Sequence, residues 1–405
     1  MAIPRLALRN MLRSRGRTLL ALGAIALGVS GLVLIGGFVD DLLDQLAEAT
    51  VHSQLGHLQI YTRGYYQSGA QQPTRFLIRA PAEVDAALRD VPGVIDTLHR
   101  LNFQGLLGNG RSDWPVLGEG GEPDKESRLG TFVSLTEGRH LTERDRYGML
   151  VGRGVAAALR LRAGDTVNLL VSAEGGAMNS LEFEVVGIFR TFAKDYDDRA
   201  IRISLSTAQE LMDTRAVNAV VVTLSHTDAT PAAAARLAAV LPAQRYEIMR
   251  WNELSDFYDK AVALFERQFR VMNAIILVMI LLSALNAINL TNFERTVEFG
   301  TMLALGSTSR RLFRLLMLEN LLLGLGGAGI GALVGVLAAL VLSAWGIPMP
   351  PPPNADLGFT AHIRILPSVV AGAFVVGVVA VSLAGIMPAW RASRLDIADA
   401  LRQQR

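Results

Sequence analysis

Four runs of about twenty residues carry no charged side chain, and each is long enough as a helix to cross the roughly 30 Å hydrocarbon core of a bilayer. They are Thr18–Val39 ("TLLALGAIALGVSGLVLIGGFV"), Val271–Leu290, Leu321–Trp345 and Leu366–Met387. A soluble core helix rarely runs so far without a charge, and four in one chain make that alternative weaker still. The first run is also longer than the apolar stretch of a signal peptide, and no small-residue cleavage site with suitable flanks follows. It reads as a retained anchor. Hydrophobic residues make up 51% of the chain and charged residues 19%, in keeping with a membrane protein.

Orientation follows from arginine placement, because short segments rich in Arg and Lys stay in the cytoplasm. Residues 1–17 hold Arg5, Arg9, Arg13, Arg15 and Arg17 and no acid. Four crossings return the tail 388–405, "PAWRASRLDIADALRQQR", to the same side. The segment 291–314 also falls inside, with Arg295, Arg310, Arg311 and Arg314, while the loop 346–364 has one arginine and many prolines. The expected class is therefore a membrane protein with four transmembrane α-helices and a large extracytoplasmic α+β domain between helices 1 and 2. Its expected home is the bacterial cytoplasmic (inner) membrane, with both termini cytoplasmic.

The domain between the first two spans covers residues 40–270. Both ends have apolar residues near a 3.6-residue period, in "DDLLDQLAEATVHSQL" and "NELSDFYDKAVALFERQFR", and are expected to be helical stalks. Inside them, "GHLQIYT", "TVNLLVS", "LEFEVVGIF", "AIRISLS" and "NAVVVTLS" read as strands, and "STAQELMDT" and "PAAAARLAAVL" as helices. "GNGRSDWPVLGEGGEPDKESR" is expected to be a surface loop, and "MPPPPNADLG" a stiff connector.

Known catalytic signatures are missing. No G-x-x-x-x-G-K-[ST] occurs, so no P-loop is expected, and "GRGVAAAL" lacks both its lysine and its hydroxyl. No G-x-S-x-G appears. The chain has no cysteine and six scattered histidines without metal-binding spacing. "DYDDR", Asp195 to Arg199, reads as a solvated acidic loop rather than a cation site. We expect a non-catalytic subunit with no metal, no cofactor of its own and no nucleic-acid partner.

Small residues mark a helix interface. Gly327, Gly331 and Gly335 recur every four residues, with Gly324 a turn earlier, a spacing that lets two helix backbones approach closely, within one chain or across a dimer. Asn273, Asn286 and Asn289 place amides in the second span, where interhelical hydrogen bonds are expected.

Between the second and third spans lies "ERTVEFGTMLALGSTSRRLFR", Glu294 to Arg314. It is longer than a plain connector needs to be. Val297, Phe299, Met302 and Leu305 can pack or dock, and Gly300 and Gly306 break the pattern. Residue chemistry alone leaves a solvated loop and a docking element equally open.

Here the chain resembles the FtsX-like permease family. Its pattern E-R-x-x-E-[FIL]-G-x-[ML]-x-A-[LM]-G is matched by Glu294, Arg295, Glu298, Phe299, Gly300, Met302, Ala304, Leu305 and Gly306, and continues through Arg314, Glu319 and Gly324. "PAWRASRLDIADALR" is similar to the family's C-terminal motif and "LALRNMLRSRGRTLL" to its N-terminal one. "VGRGVAAALRLRAGDTVNLL" with "FEVVGIFRT" is similar to the outer domain of macrolide-exporter and lipoprotein-releasing permeases, and "DYDDRAIRISLSTAQELM" to the latter branch.

The resemblance implies a permease subunit of an ABC transporter, paired with a second permease chain and with an ABC ATPase dimer that binds ATP and Mg. It implies that Glu294, Arg295, Glu298, Phe299, Gly300, Met302, Leu305, Gly306, Arg310 and Arg311 couple the chain to that ATPase. The expected task is to extract or move a lipoprotein or another hydrophobic substrate, with a periplasmic carrier or lipoprotein as a further partner. Alternatives are export of a peptide or small amphiphile, or mechanotransmission that regulates a cell-wall hydrolase.

Overall fold

The computed structural model describes residues 15–69, 72–191, 193–349 and 358–395. The basic stretch 1–14, the prolines at 350–353 and the end of the C-terminal tail lie outside the described residues. The chain divides into two compact units, Met1–Leu43, Val262–Pro348 and Thr360–Arg405 in one, Asp44–Ala261 and Met349–Phe359 in the other.

The first unit is helical. Its helices are α1 (Arg15–Thr50), α2 (Asp256–Glu294), α3 (Thr296–Ala304), α4 (Ser309–Trp345) and α5 (Pro367–Ser393). All but α3 are long and apolar enough to cross a membrane. The first two helices run well past their apolar windows, as the stalk pattern suggests. The third span starts earlier than its apolar run: residues 309–314, read as part of the connector, already belong to α4. Ile25, Val29 and Val33 of α1 meet Ile280, Ala284 and Ile288 of α2 and Ala373, Ala380 and Ala384 of α5 in one core. Large side chains point the other way. Leu27, Met279, Leu282, Leu333, Leu340 and Leu383 are all more than half exposed. An apolar exterior of that extent is costly in water and neutral in lipid.

The glycine stripe packs within this chain. A Cβ on Gly327 would meet Ile25 at 2.8 Å, one on Gly331 the carbonyl oxygen of Ala26 at 2.6 Å, and one on Gly335 Val33 at 3.0 Å. All three therefore face α1, while Gly324 faces Val378 and Val381 of α5. Asn273, Asn286 and Asn289 lie on the exposed side of α2 and not against another helix of this chain.

The second unit is built on a ten-stranded sheet with the order β10-β1-β9-β2-β3-β8-β5-β7-β4, and β6 joins β2 to β7. The strands are β1 (Leu58–Thr62), β2 (Val94–Gly108), β3 (Asp113–Gly121), β4 (Ser134–Gly138), β5 (Gly148–Gly152), β6 (Thr166–Ser172), β7 (Met178–Arg190), β8 (Ala200–Ser204), β9 (Ala219–Leu224) and β10 (Tyr246–Arg250). The fifteen residues of β2 serve two cores. Its first half pairs with β9, beside a core of Leu58, Ile60, Val220 and Val222 that takes Val84 and Leu237 from two helices. Its second half pairs with β3 and β6 over Phe103, Leu107, Phe183 and Leu211.

All five segments read as strands are strands. The segment 108–128, read as a surface loop, is a correction: it holds β3, a central strand, and the helix Pro123–Leu129. Two of its glycines, on β3, are packing residues. A side chain on Gly118 would strike the Phe103 ring, and one on Gly120 would strike Ala208. "DYDDR" is partly corrected too. Asp197 is buried and accepts hydrogen bonds from the Thr191 amide at 2.7 Å and hydroxyl at 2.8 Å. Among the described residues no group of acids and histidines is arranged to hold a metal.

A buried histidine makes this unit sensitive to acid. His57 Nδ1 accepts from the Leu224 amide at 3.1 Å, and Nε2 lies 3.2 Å from the Thr227 hydroxyl, which donates to Glu48 at 2.6 Å. The ring must be neutral to accept at Nδ1. Burial, then the neighbouring charge of His52, lowers its pKa from 6.5 to about 4. The unfolded chain therefore takes up this proton first. Stability from neutral His57 is complete above pH 6.5 and is lost as the pH falls from 6.5 towards about 4. Thermal unfolding of the full chain should show a falling midpoint across that window, and His57→Gln should flatten it. Equal slopes for the two proteins would contradict this.

Candidate functional site

The segment between the second and third spans is an elbow with one buried side and one exposed side. Helix α2 ends at Glu294, and Arg295 leaves helical geometry with φ −94° and ψ 10°. Helix α3 then runs from Thr296 to Ala304. It stops at Gly306, whose φ of +92° is one that side chains rarely adopt. The Gly306 amide donates to Leu303 O and the Ser307 amide to Met302 O, both at 3.0 Å, which is the paired pattern of a Schellman turn. Thr308 caps α4, its hydroxyl accepting from the Arg311 amide at 3.4 Å. Gly306 thus makes the turn, whereas Gly300 is a buried residue inside α3.

Two side chains hold α3 down. Phe299 is fully buried with Leu312 and Leu316 of α4 and Ala389 and Ala392 of α5, and Met302 packs at the edge of this cluster. Arg295 reaches from the α2–α3 junction to α4. Its Nη1 donates to Glu319 Oε2 at 2.7 Å and its Nη2 to Oε1 at 3.3 Å. Its Nε donates to Glu298 at 3.2 Å, and its guanidinium lies 5.1 Å from the centre of the Phe299 ring. Two-pronged pairing of this kind fixes orientation as well as distance.

What remains outside is the other face. Leu305 is 83% exposed. Glu294, Glu298, Thr301 and Ala304 are exposed, as are Arg310 and Arg311 at the start of α4. Leu305 thus stands exposed among charged side chains of both signs. Phe299 and Arg295 support that surface from beneath and do not form it. Glu319 is the residue that a reading of the connector alone misses. Its signal was present in the sequence, as an acid close to an apolar span, which is retained only with a partner.

The chain is similar to known proteins over most of its length. The profile of the MacB-like periplasmic core domain matches residues 18–240, and that of the FtsX-like permease C-terminal domain matches residues 270–397. The lipoprotein-releasing system transmembrane protein LolC of Neisseria meningitidis is 22% identical over 420 residues, covering 96% of this chain and 94% of that protein. An uncharacterized ABC transporter permease of Methanocaldococcus jannaschii is 22% identical over 278 residues, covering 66% of this chain; the match spans 65% of that relative's length. The crystal structure of the periplasmic region of MacB from Actinobacillus actinomycetemcomitans aligns with a TM-score of 0.37 at 15% identity, covering 49% of this chain and 92% of that one.

Proposed function

Because the chain belongs to the FtsX-like permease family of ABC transporters and carries a MacB-like periplasmic core domain, we propose that it is the membrane subunit through which a separate ATPase moves that domain. The observation that carries the reading is the elbow. A short helix clamped on its inner face by Phe299 and Arg295, and open on its outer face at Leu305, suits a lever that another protein pushes. The chain lacks a P-loop, so ATP and Mg belong to the partner. The arginine-rich segments favour a cytoplasmic elbow and cytoplasmic termini, on the side where that partner would be, with Asp44–Ala261 outside.

A second permease chain fits the uneven coverage of the spans. Helix α2 is the least buried of the four, with 17% of its apolar window covered. Its exposed face carries Asn273, Asn286 and Asn289, and polar side chains at that depth belong against protein or a water-filled cavity. Extraction of a lipoprotein or another hydrophobic substrate is the task we favour, on the likeness to LolC.

Two results test this. The tagged chain purified in mild detergent should bring down an ABC ATPase and show no ATP hydrolysis without it. In spheroplasts, an impermeant thiol reagent should label Ser112→Cys and spare Ser307→Cys, which is clean to read because the native chain has no cysteine. Hydrolysis by the isolated chain, or the reverse labelling, would overturn the reading.

A further inference from the structure

Helix α1 ends in the outer unit in a five-residue π-helical turn, Val51–Leu55. A helix end leaves its last carbonyl groups without donors from the helix itself. Here four consecutive carbonyls are met from four different places. The Phe132 amide donates to His52 O at 3.3 Å, Arg202 Nη2 to Ser53 O at 3.1 Å, Arg100 Nη1 to Gln54 O, and Gln59 Nε2 to Leu55 O at 2.6 Å.

The two arginines are held in turn. Arg100, on β2, is paired by both arms with Glu126 at 2.6 and 2.7 Å, and its side chain is 4% exposed. Arg202, on β8, donates from Nε to the Tyr196 hydroxyl at 3.1 Å, which itself donates to Glu119 at 2.7 Å. The Arg202 guanidinium also lies 5.0 Å from the centre of the Phe189 ring. Burial alone would raise the Glu126 carboxyl, yet Arg100 holds it below its ordinary value. Buried charges of this kind rarely stabilise a fold more than apolar residues of the same volume would. Stability alone therefore does not account for two of them meeting at one helix end.

We propose that Arg100 and Arg202 are positioning residues that clamp the carbonyl end of α1, so that a displacement of this helix reaches β2 and β8 as one body. Without them, of the four carbonyl contacts only those from Phe132 and Gln59 would remain, next to Gly56 with its φ of +66°. The clamp stands on its own contacts; only the claim that ATP supplies the displacement rests on the function proposed above.

The test uses the full chain in lipid nanodiscs with spin labels at Asp44→Cys and Glu182→Cys, together with amide hydrogen exchange. The native protein should give one narrow distance. Arg100→Met with Arg202→Met should broaden it about twofold and speed exchange at residues 51–56 on the order of tenfold, with β9 unchanged. Arg128→Met, which removes an exposed ion pair with Asp96, should do neither. A general loss of stability would instead raise exchange in β9 as much as in the turn. If the double variant does unfold in this way, Arg202→Lys decides. It keeps the charge but cannot span Ser53 O, Tyr196 and Glu119 together, so faster exchange confined to 51–56 is expected. Native exchange there, or a native distance distribution in a folded double variant, refutes the clamp. With the ATPase and ATP added, the native label pair should keep its distance through turnover while the double variant's changes. A complex in which no part of the chain responds to ATP would count against the proposed function and leave the clamp to be judged on the first two readouts.

Discussion

Replacing Glu319 with leucine should release the elbow from α4. Arg295 and Glu319 are 17% and 11% exposed, and the pair is held at 2.7 Å. Removing Glu319 leaves Arg295 only its longer contact with the half-exposed Glu298, which costs about 1.5–3 kcal/mol. Arg295 would also lose the contact that orients it over Phe299. The variant should insert, since no charge is added to a span, but melt earlier in detergent and fail to stimulate its ATPase. Arg295→Met combined with Glu319→Leu removes both charges and should recover much of the lost thermal stability, because the penalty lies in a half-buried cation that has lost its best partner and not in the missing bond. Native melting and native stimulation in Glu319→Leu would show that the pair does not hold the elbow. A double variant no more stable than the single one would show that the cost lies elsewhere.

The second large effect is expected at Gly331. A Cβ there would meet the Ala26 carbonyl oxygen at 2.6 Å and the Ala26 Cα at 2.8 Å. Both atoms are backbone, so no side-chain rotation can relieve the clash, and α1 and α4 must separate. Overpacking of this kind costs about 1–3 kcal/mol, and Gly331→Leu loses the close approach along the whole stripe as well. Gly329 is the matched control, since nothing lies within 4 Å of a Cβ there. In the same detergent, Gly331→Leu should melt several degrees below the native chain, and Gly329→Leu within about a degree or two of it. Equal melting of the two variants would mean that the stripe faces something other than α1.

Much of this was legible in the sequence, for identifiable reasons. The spans were visible because lipid demands long uncharged runs, and β1, β6, β7, β8 and β9 because β-branched residues cluster in them. Strand β3 was hidden, because Gly118, Gly120 and Gly121 look like turn residues until Phe103, Ala208 and Glu126 are seen against them. The glycine spacing in α4 showed a helix contact but not its partner, since spacing along one helix says nothing of which helix lies opposite. The elbow shows the same limit. Arg295, Glu298 and Phe299 stand within five residues, yet one reaches inward to Glu319, one is exposed, and one is fully buried. Only the packing of α3 on α4 and α5 decides which face is left for another protein.

That face gives the most direct measurement. The full chain can be reconstituted with any ABC ATPase recovered in its purification, and binding and stimulated hydrolysis followed for Leu305→Arg and Glu298→Arg. Leu305 is exposed, so the fold should survive Leu305→Arg; Glu298→Arg also sets a second cation beside Arg295, so its melting is compared with that of the native chain before its binding is read. Loss of a docking anchor costs about 2 kcal/mol or more, so ATPase binding should weaken at least about tenfold with stimulation lost. Glu143→Arg, an exposed change in the outer unit, should leave both intact. Native binding and native stimulation in Leu305→Arg and Glu298→Arg together would contradict the account and leave α3 a mere connector between two spans.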